Sequence, residues 1–144
     1  MINFKKMSLN DLDNIKNHLT TDFDNFWSFN NLKSELENPN SHFLIIEKDC
    51  TIIGFGGFRQ ILDNADIMNI VIRKDMRNKG NAKLLLNKII ELAKQYNISQ
   101  LNLEVNENNT NAIKLYKDFN FKVINIRKKY YNNTDNAIIM LLNI

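Results

Sequence analysis

Residues 70–82 read IVIRKDMRNKGNA, and this stretch decides the fold class. An apolar, strand-like run leads into a basic loop, and the loop opens a long segment with helical periodicity. The cations of the loop are Arg73, Lys74, Arg77 and Lys79. Backbone N–H groups at a helix N-terminus bind phosphate, and the helix dipole strengthens that attraction. The pattern therefore predicts a strand, loop and helix that hold a phosphate group, or else an ordinary helix preceded by a solvated basic loop.

Apolar periodicity on either side of this stretch predicts an α/β domain with a mixed central sheet flanked by helices. Predicted helices begin at Ser8, Asn31, Gly80 and Asn109. Predicted strands cover residues 42–47, 51–60, 65–72, 98–105, 121–130 and 137–142. Because a strand, a helix and a strand follow one another over residues 65–105, we expect one parallel pair with a right-handed crossover.

The composition is that of an ordinary soluble domain, with 44% hydrophobic and 24% charged residues. A length of 144 residues fits one domain, so we expect a single domain over residues 1–144. The sequence lacks a signal-peptide core and any apolar run near the ~20 residues of a membrane span, which predicts a cytoplasmic protein without a membrane partner. The net charge of +3 suits a polyanionic ligand or a ribosome-bound partner, and gives no argument for direct nucleic-acid binding.

Residues 77–82, RNKGNA, match the pattern (Q/R)-x-x-G-x-(G/A), and in this they resemble the GNAT family of N-acetyltransferases. The resemblance implies the GNAT fold, acetyl-CoA as co-substrate and no metal. It also implies that the loop binds the pyrophosphate of CoA and that the backbone of the preceding strand pairs with the pantetheine. The implied cofactor-binding residues are Ile70, Val71, Ile72, Arg77, Asn78, Lys79, Gly80, Asn81, Ala82, Lys83 and Asn109.

Further segments are similar to one branch of that family, the RimI-like ribosomal-protein alanine N-acetyltransferases. They read FWS at 26–28, LEV at 103–105, NTNAIKLY at 109–116, FNF at 119–121, IRKKYY at 126–131 and AIIM at 137–140. These matches imply transfer of an acetyl group to the α-amine of a protein. The expected acceptor is the N-terminal alanine of a small-subunit ribosomal protein.

Two departures from the branch bear on this expectation. Asn120 stands where the family has glycine. Asparagine tolerates the left-handed conformation of a helix C-cap, so we expect the turn to be kept. The segment 132–136 is shorter than in typical members and lies near the expected acceptor site, so it affects the choice of acceptor.

Glu104 is the candidate general base. Residues 98–105 alternate, so Leu101, Leu103 and Val105 share one face and Glu104 lies on the other. Ligands bind beyond the C-terminal ends of parallel strands, and Glu104 is at such an end. The resemblance implies that this position deprotonates the amine, directly or through a water molecule. Taken alone, the pattern also fits a solvated glutamate on the sheet surface.

Tyr116 is the candidate general acid, because a phenol is protonated at neutral pH and can protonate the departing CoA thiolate. Its spacing with Ile113 and Phe119 also fits a tyrosine of the core. Asn109 resembles the CoA-contacting asparagine of the family and also fits a helix N-cap. The resemblance further implies that the backbone N–H of Ile72 stabilises the oxyanion.

Trp27, Tyr130 and Tyr131 are the candidate acceptor-binding residues, and they also fit aromatic residues of the rim or the core. His18 and His42 have no acidic or cysteine partner at ligand spacing, so we expect structural or solvated histidines and no metal site.

Two other functions stay open at this point. One is a GNAT enzyme acting on a small-molecule amine or a lysine side chain, and the other is a non-catalytic module that binds CoA. A plain nucleic-acid binder is disfavoured, because the aromatic and glycine-rich signatures of RNA-binding modules are missing.

Overall fold

The computed structural model describes residues 1–24, 26–131 and 133–144, and for Asn69 the backbone alone. In chain order the elements are β1 (Ile2–Lys6), α1 (Leu9–Ile15), α2 (Phe29–Glu37), β2 (Ser41–Lys48), β3 (Thr51–Ile61), β4 (Asn64–Ile72), α3 (Asn81–Gln95), β5 (Gln100–Asn106), α4 (Thr110–Asp118), β6 (Lys122–Tyr131) and β7 (Asp135–Asn143). A 3-10 turn, Lys16–His18, and a π-helical turn, Leu19–Phe23, follow α1. A second 3-10 turn, Lys74–Met76, follows β4.

The strands form one sheet in the order β1-β2-β3-β4-β5-β7-β6. β4 and β5 are parallel and the other neighbours are antiparallel, which confirms the predicted mixed sheet with one parallel pair. The ladder between β4 and β5 ends at Asp66 and Asn102. Within the described residues, β4 then continues to Ile72 and β5 to Asn106 without pairing with each other. This opening at their C-terminal ends is called the V below.

The first strand was not predicted from the sequence. β1 pairs with β2 from Ile2 opposite Lys48 to Lys6 opposite Leu44. Only its residues Ile2 and Phe4 pack on the core, so the alternation is too short to indicate a strand. The chain therefore begins with a strand at the edge of the sheet and not with a helix.

The buried face of α3 is rotated from the one that periodicity predicts. The apolar spacing of residues 80–96 predicts a core face that includes Leu84 and Tyr96, but these side chains are 46% and 43% exposed. The buried apolar residues of the helix are Leu85, Leu86, Ile89, Ile90 and Ala93. Because residues 84–86 are all leucine, the same apolar periodicity fits two neighbouring faces of the helix. Packing against the sheet decides which of the two faces is buried.

Asparagine ends the two helices that pack beside the V. Asn97 follows α3 with φ 59° and Asn120 follows α4 with φ 70°. After α4, the N–H of Asn120 donates to the carbonyl of Lys117 at 2.9 Å, and the N–H of Phe121 donates to that of Tyr116 at 3.0 Å. This is a Schellman motif, in which a left-handed residue satisfies the last helical carbonyls. The predicted left-handed C-cap at Asn120 is confirmed.

Apolar side chains bury both faces of the sheet. One cluster contains the buried sides of α3 and α4, and the other contains α1 and α2. The carboxylate of Glu35 on α2 is 5% exposed, and it accepts hydrogen bonds from Arg59 Nε at 2.9 Å and from Ser41 Oγ, which ties α2 to β2 and β3. None of the described helices is both long and apolar enough to cross a membrane.

Candidate active site

A cavity of about 500 Å³ lies between the end of β4 and α4. Its lining contains every residue predicted to bind the cofactor except Lys79, and it also contains Tyr116. Residues from β4, the following loop, α3 and α4 thus meet at one cavity. The structure therefore brings together residues that the sequence placed up to 46 positions apart, from Ile70 to Tyr116.

The side of β4 next to this cavity presents backbone groups. The N–H of Arg73 donates to the carbonyl of Ile53 at 2.7 Å, so this residue bonds toward β3. Because backbone groups alternate in direction along an antiparallel strand, the N–H and carbonyl of Ile72 face away from β3. The carbonyl of Ile72 accordingly accepts from Arg77 Nε at 2.8 Å. The Ile72 N–H therefore faces away from β3, toward the opening between β4 and β5.

Backbone donors converge at the start of α3. Its first helical hydrogen bond runs from the N–H of Leu84 to the carbonyl of Gly80 at 3.2 Å, so the N–H groups of residues 81–83 have no partner within the helix. Gly80 has φ 83°, and a Cβ added there would meet nothing within 4 Å. The backbone angle, and not crowding, therefore requires glycine. Together with the helix dipole, these donors suit a phosphate group.

Arg77 braces the loop from within. Its Nε donates to the carbonyl of Ile72, and its Nη2 donates to the carbonyl of Phe23, the last residue of the π-helical turn. The buried amide of Asn81 adds a third bond, donating to the carbonyl of Met76 at 2.9 Å. The charge of Arg77 was expected to attract a phosphate, and the structure shows two of its five N–H donors, one on Nε and one on Nη2, engaged by backbone carbonyls. These two bonds fix the shape of the loop.

Glu104 lies on the exposed face of β5, as its alternation with buried Leu103 and Val105 predicts. Arg127 Nη1 on β6 is 3.1 Å from Glu104 Oε1. The guanidinium also lies over the ring of Tyr130, with Cζ 5.6 Å from the ring centre, and Tyr130 packs edge to face on Tyr131.

Three predicted site residues therefore share one cluster. Burial raises the pKa of Tyr131, and the charge of Glu104 and the neighbouring Tyr130 raise it further. Arg127 links the groups, because its guanidinium contacts both the Glu104 carboxylate and the Tyr130 ring. Both tyrosines predicted for acceptor binding thus lie beside the predicted base.

A bulge in β6 shapes this cluster. After Arg127 the register with β7 slips, so that residues 128–130 face Asn136 alone. Lys129 has φ 54°, and its N–H donates to Asn136 Oδ1 at 2.9 Å. The N–H of Asn136 donates in turn to the carboxylate of Glu107. Such bulges re-aim side chains beside functional sites, and this one follows directly on the arginine that reaches Glu104.

Arg127, Asn136 and Glu107 were not singled out from the sequence. The contact between Arg127 and Glu104 crosses β7, and nothing in the sequence reports the strand order β5-β7-β6. One indication in the sequence that Arg127 could belong to the site was its place within IRKKYY, a segment similar to the RimI-like branch. The expectation about segment 132–136 lies partly outside the described residues, because Asn132 is not among them.

Tyr116 belongs to the core and also borders the cavity. It is 7% exposed, belongs to the core cluster and packs edge to face on Phe121 at 5.6 Å between ring centres. It also lines the cavity beside β4. Burial raises the pKa of Tyr116 to about 12, so its hydroxyl is a hydrogen-bond donor at neutral pH.

Trp27 lies apart from the Glu104 cluster in every described contact. It is half-buried against the core of α1 and α2, with Phe26 edge to face at 5.8 Å. Its Nε1 is buried and has no hydrogen-bond partner in the described part of the chain. Of the three predicted acceptor residues, Trp27 is the one that packs against the apolar cluster of α1 and α2.

Known proteins share this architecture. Residues 12–121 match the model of the Acetyltransferase (GNAT) family. A Bacillus subtilis (strain 168) protein, provisionally assigned as a ribosomal protein bS18-alanine N-acetyltransferase, is 35% identical over 142 residues, which cover 97% of this chain and 94% of that protein. The crystal structure of the ribosomal-protein-S18-alanine N-acetyltransferase from Escherichia coli has a TM-score of 0.91 and 26% identity, covering 100% of this chain and 94% of that chain. Arabidopsis thaliana NAA60 in complex with acetyl-CoA shares the fold, with a TM-score of 0.83 at 17% identity over 100% of this chain and 99% of that one.

These similarities confirm both the expected fold and the expected likeness to the RimI-like branch. The family model spans the loop after β4, the cavity and Glu104. The likeness to the Bacillus subtilis protein covers nearly the whole length of both chains. The chain therefore belongs to the GNAT family of acetyltransferases.

Proposed function

We propose that this protein transfers the acetyl group of acetyl-CoA to the α-amine of an N-terminal alanine, with ribosomal protein bS18 as the acceptor. The names and full-length similarity of the Bacillus subtilis and Escherichia coli proteins support this acceptor. The structural observation that carries the proposal is the V. It has a cavity with phosphate-binding donors beside β4, and the carboxylate of Glu104 lies on β5, the strand that diverges from β4.

The residues at the cavity suit the parts of CoA. The N–H groups of residues 81–83 would hold the pyrophosphate, and the outward backbone of β4 would pair with the amide-bearing pantetheine. Asn109 Oδ1 already accepts from the N–H of Ala112 at 3.2 Å as an N-cap, which leaves the amide NH₂ of Asn109 as the group for a ligand. Acetyl-CoA supplies the thioester carbon that the amine attacks.

Glu104 would remove the proton that keeps the amine unreactive. A peptide α-amine has an ordinary pKa of about 7.7–8.0, so most of it is protonated at pH 7. The carboxylate, partly exposed and next to Tyr131, can take that proton directly or through a water molecule. The Ile72 N–H would stabilise the oxygen of the carbonyl as it gains charge.

Tyr116 would assist the departing sulfur. Burial raises the pKa of Tyr116 to about 12, well above the value of about 8.5 for a thiol, so complete transfer of the proton to the sulfur is unfavourable. The hydroxyl therefore acts as a hydrogen-bond donor while charge builds on the sulfur, and a proton that it gives up is replaced from solvent. In this role Tyr116 stabilises the charge on the sulfur through a hydrogen bond, and it need not transfer its proton completely.

A mass-spectrometric acetylation assay tests the proposal. The protein is mixed with acetyl-CoA and either of two peptides. One has the alanine-starting N-terminus of bS18, and the other has the same sequence with a blocked α-amine and one internal lysine. We expect acetylation of the free N-terminus alone.

Other outcomes would overturn parts of the proposal. Acetylation of the lysine alone would keep the chemistry and reject the acceptor. Binding of acetyl-CoA without acetylation of either peptide would reject the protein acceptor and point to a small amine or to a CoA-binding module.

A further inference from the structure

Glu104 already has a cation beside it. Arg127 Nη1 lies 3.1 Å from Glu104 Oε1, the distance of a direct ion pair. Glu104 is on β5 and Arg127 on β6, so the arginine reaches across β7. In the proposed reaction, the α-ammonium of the acceptor must approach this same carboxylate. Two cations therefore compete for one position.

The ion pair is weak enough to exchange. The side chains of Arg127 and Glu104 are 54% and 35% exposed, and the pair joins one nitrogen to one oxygen. Exposed pairs of this kind contribute little to stability, because water and salt screen the two charges. An incoming ammonium that takes the carboxylate therefore costs the protein little, whereas a neutral group offers no charge to replace the arginine.

The arginine has another contact on its own strand. Its guanidinium already lies over the Tyr130 ring, within the range of a cation–π contact. Neighbouring carboxylates are engaged elsewhere, since Asp135 accepts from the Asn106 amide at 3.1 Å and Glu107 accepts from the N–H of Asn136. A guanidinium that leaves Glu104 can therefore stay over Tyr130.

Building on the proposed function, we propose that Arg127 is a resident counter-ion of Glu104 and that the ammonium group of the acceptor displaces it. Arg127 then holds the position of the ammonium until an acceptor arrives. It also selects for acceptors, because only a group that carries its own positive charge can exchange with it.

NMR of the arginine side chains detects this exchange directly. The sequence has four arginines, and the Nε–H signal of Arg127 is assigned by its loss in the variant Arg127→Lys. The CoA-bound protein is titrated with alaninamide, a small α-ammonium ion, and separately with N-acetyl-alaninamide, which has no ammonium. We expect the Arg127 signal to move with alaninamide and to stay in place with the acetylated compound.

Acceptor binding gives the second measurement. The free-amine peptide is titrated calorimetrically into the CoA-bound protein, where no acetyl group is available, and its KM and kcat are measured with acetyl-CoA. Arg127→Met should tighten peptide binding and lower KM about two- to fivefold with little change in kcat, which corresponds to the removal of at most ~1 kcal/mol of competition. Arg127→Lys should restore the wild-type value. The control Lys128→Met removes a neighbouring exposed cation of β6 and should change neither quantity.

The results separate the two proposals. Weaker peptide binding in Arg127→Met would make Arg127 a direct acceptor ligand and overturn the exchange. An unmoved Arg127 signal in a protein that acetylates the peptide would overturn the exchange alone. If the wild-type protein acetylates no α-amine, the proposed function fails, and the alaninamide titration still decides whether the exchange occurs.

Discussion

The two sides of the V differ in how they are held. The side proposed to bind the cofactor is built mainly from the end of β4, the following loop and the start of α3, and buried or half-buried hydrogen bonds from Arg77 and Asn81 to backbone carbonyls fix its loop. The acceptor side combines β5, β6 and β7, and its central contact is an exposed ion pair. Every residue of β6 up to Tyr130 is exposed.

This difference fits the two proposed roles. A site braced by backbone bonds presents the same donors whether or not a ligand is bound, which suits a co-substrate that does not vary. Exposed charged contacts are cheap to rearrange, which suits an acceptor that must enter and leave. Four substitutions test this division, in order of expected effect.

Glu104→Gln should give the largest loss, in turnover and not in the binding of acetyl-CoA. A general base contributes about 10²–10⁴-fold, so we expect kcat to fall by at least a hundredfold at neutral pH. Binding of acetyl-CoA, measured by calorimetry, should be unchanged because the cavity does not use this carboxylate. Glu91→Gln, the same change on the exposed side of α3, serves as the control. A Glu104→Gln enzyme with near-normal kcat would show that another group deprotonates the amine.

Tyr116→Phe should lower kcat about ten- to a hundredfold with little loss of acetyl-CoA affinity, because it removes only the hydroxyl that donates toward the sulfur. Tyr96→Phe removes a hydroxyl from a tyrosine that stacks on His42 after α3 and should have no effect. Steady-state kinetics on both variants make the comparison. Full activity of Tyr116→Phe would leave this tyrosine a purely structural role.

Gly80→Ala should weaken the cofactor side alone. Forcing a residue with a Cβ to φ 83° costs roughly 1–2 kcal/mol, so the Kd for acetyl-CoA should rise about five- to thirtyfold. Gly80→Asn should lose less, because asparagine tolerates the left-handed region. If Gly80→Ala and Gly80→Asn bind acetyl-CoA equally well, this backbone angle does not fix the loop. The two sides of the V would then differ less in rigidity.

Asn136→Ala should give the smallest effect, confined to the acceptor side. It removes the carbonyl that holds the Lys129 N–H in the bulge, and one such hydrogen bond is worth about 0.5–1.5 kcal/mol. The KM for the peptide should rise about two- to tenfold while the Kd for acetyl-CoA stays constant. Asn143→Ala, at the far end of β7, is the control. A change in acetyl-CoA affinity would show that the two sides are coupled.

The same contrast explains what could be predicted from sequence. The proposed cofactor residues from Ile70 to Lys83 are neighbours along the chain, so one motif contains both the residues and their arrangement. The exposed position of Glu104 follows from simple alternation along β5, whereas its proposed role rests on the family resemblance. The left-handed turn at Asn120 could be predicted because asparagine is one of the few residues that adopt this conformation after a helix.

What escaped prediction depends on contacts between distant segments. Arg127 reaches Glu104 only because β7 inserts between β5 and β6, and the local pattern of β6 says nothing about that order. β1 is a strand because β2 offers it an edge, since its own alternation is too short. The exposure of Leu84 is decided by the sheet beneath α3, which a helical period alone does not include.

The V also has a consequence for self-association. A sheet edge invites pairing with another chain, and the edge strand β6 carries the exposed lysines Lys122, Lys128 and Lys129, charges that oppose such pairing. The edge of β4 at Ile72, on the side away from β3, has no charged side chain. A bound CoA would cover this edge as an extra strand does, and by mass action it would also stabilise the fold. Cofactor occupancy should therefore govern solubility as well as catalysis, with the stripped protein the first to aggregate on warming.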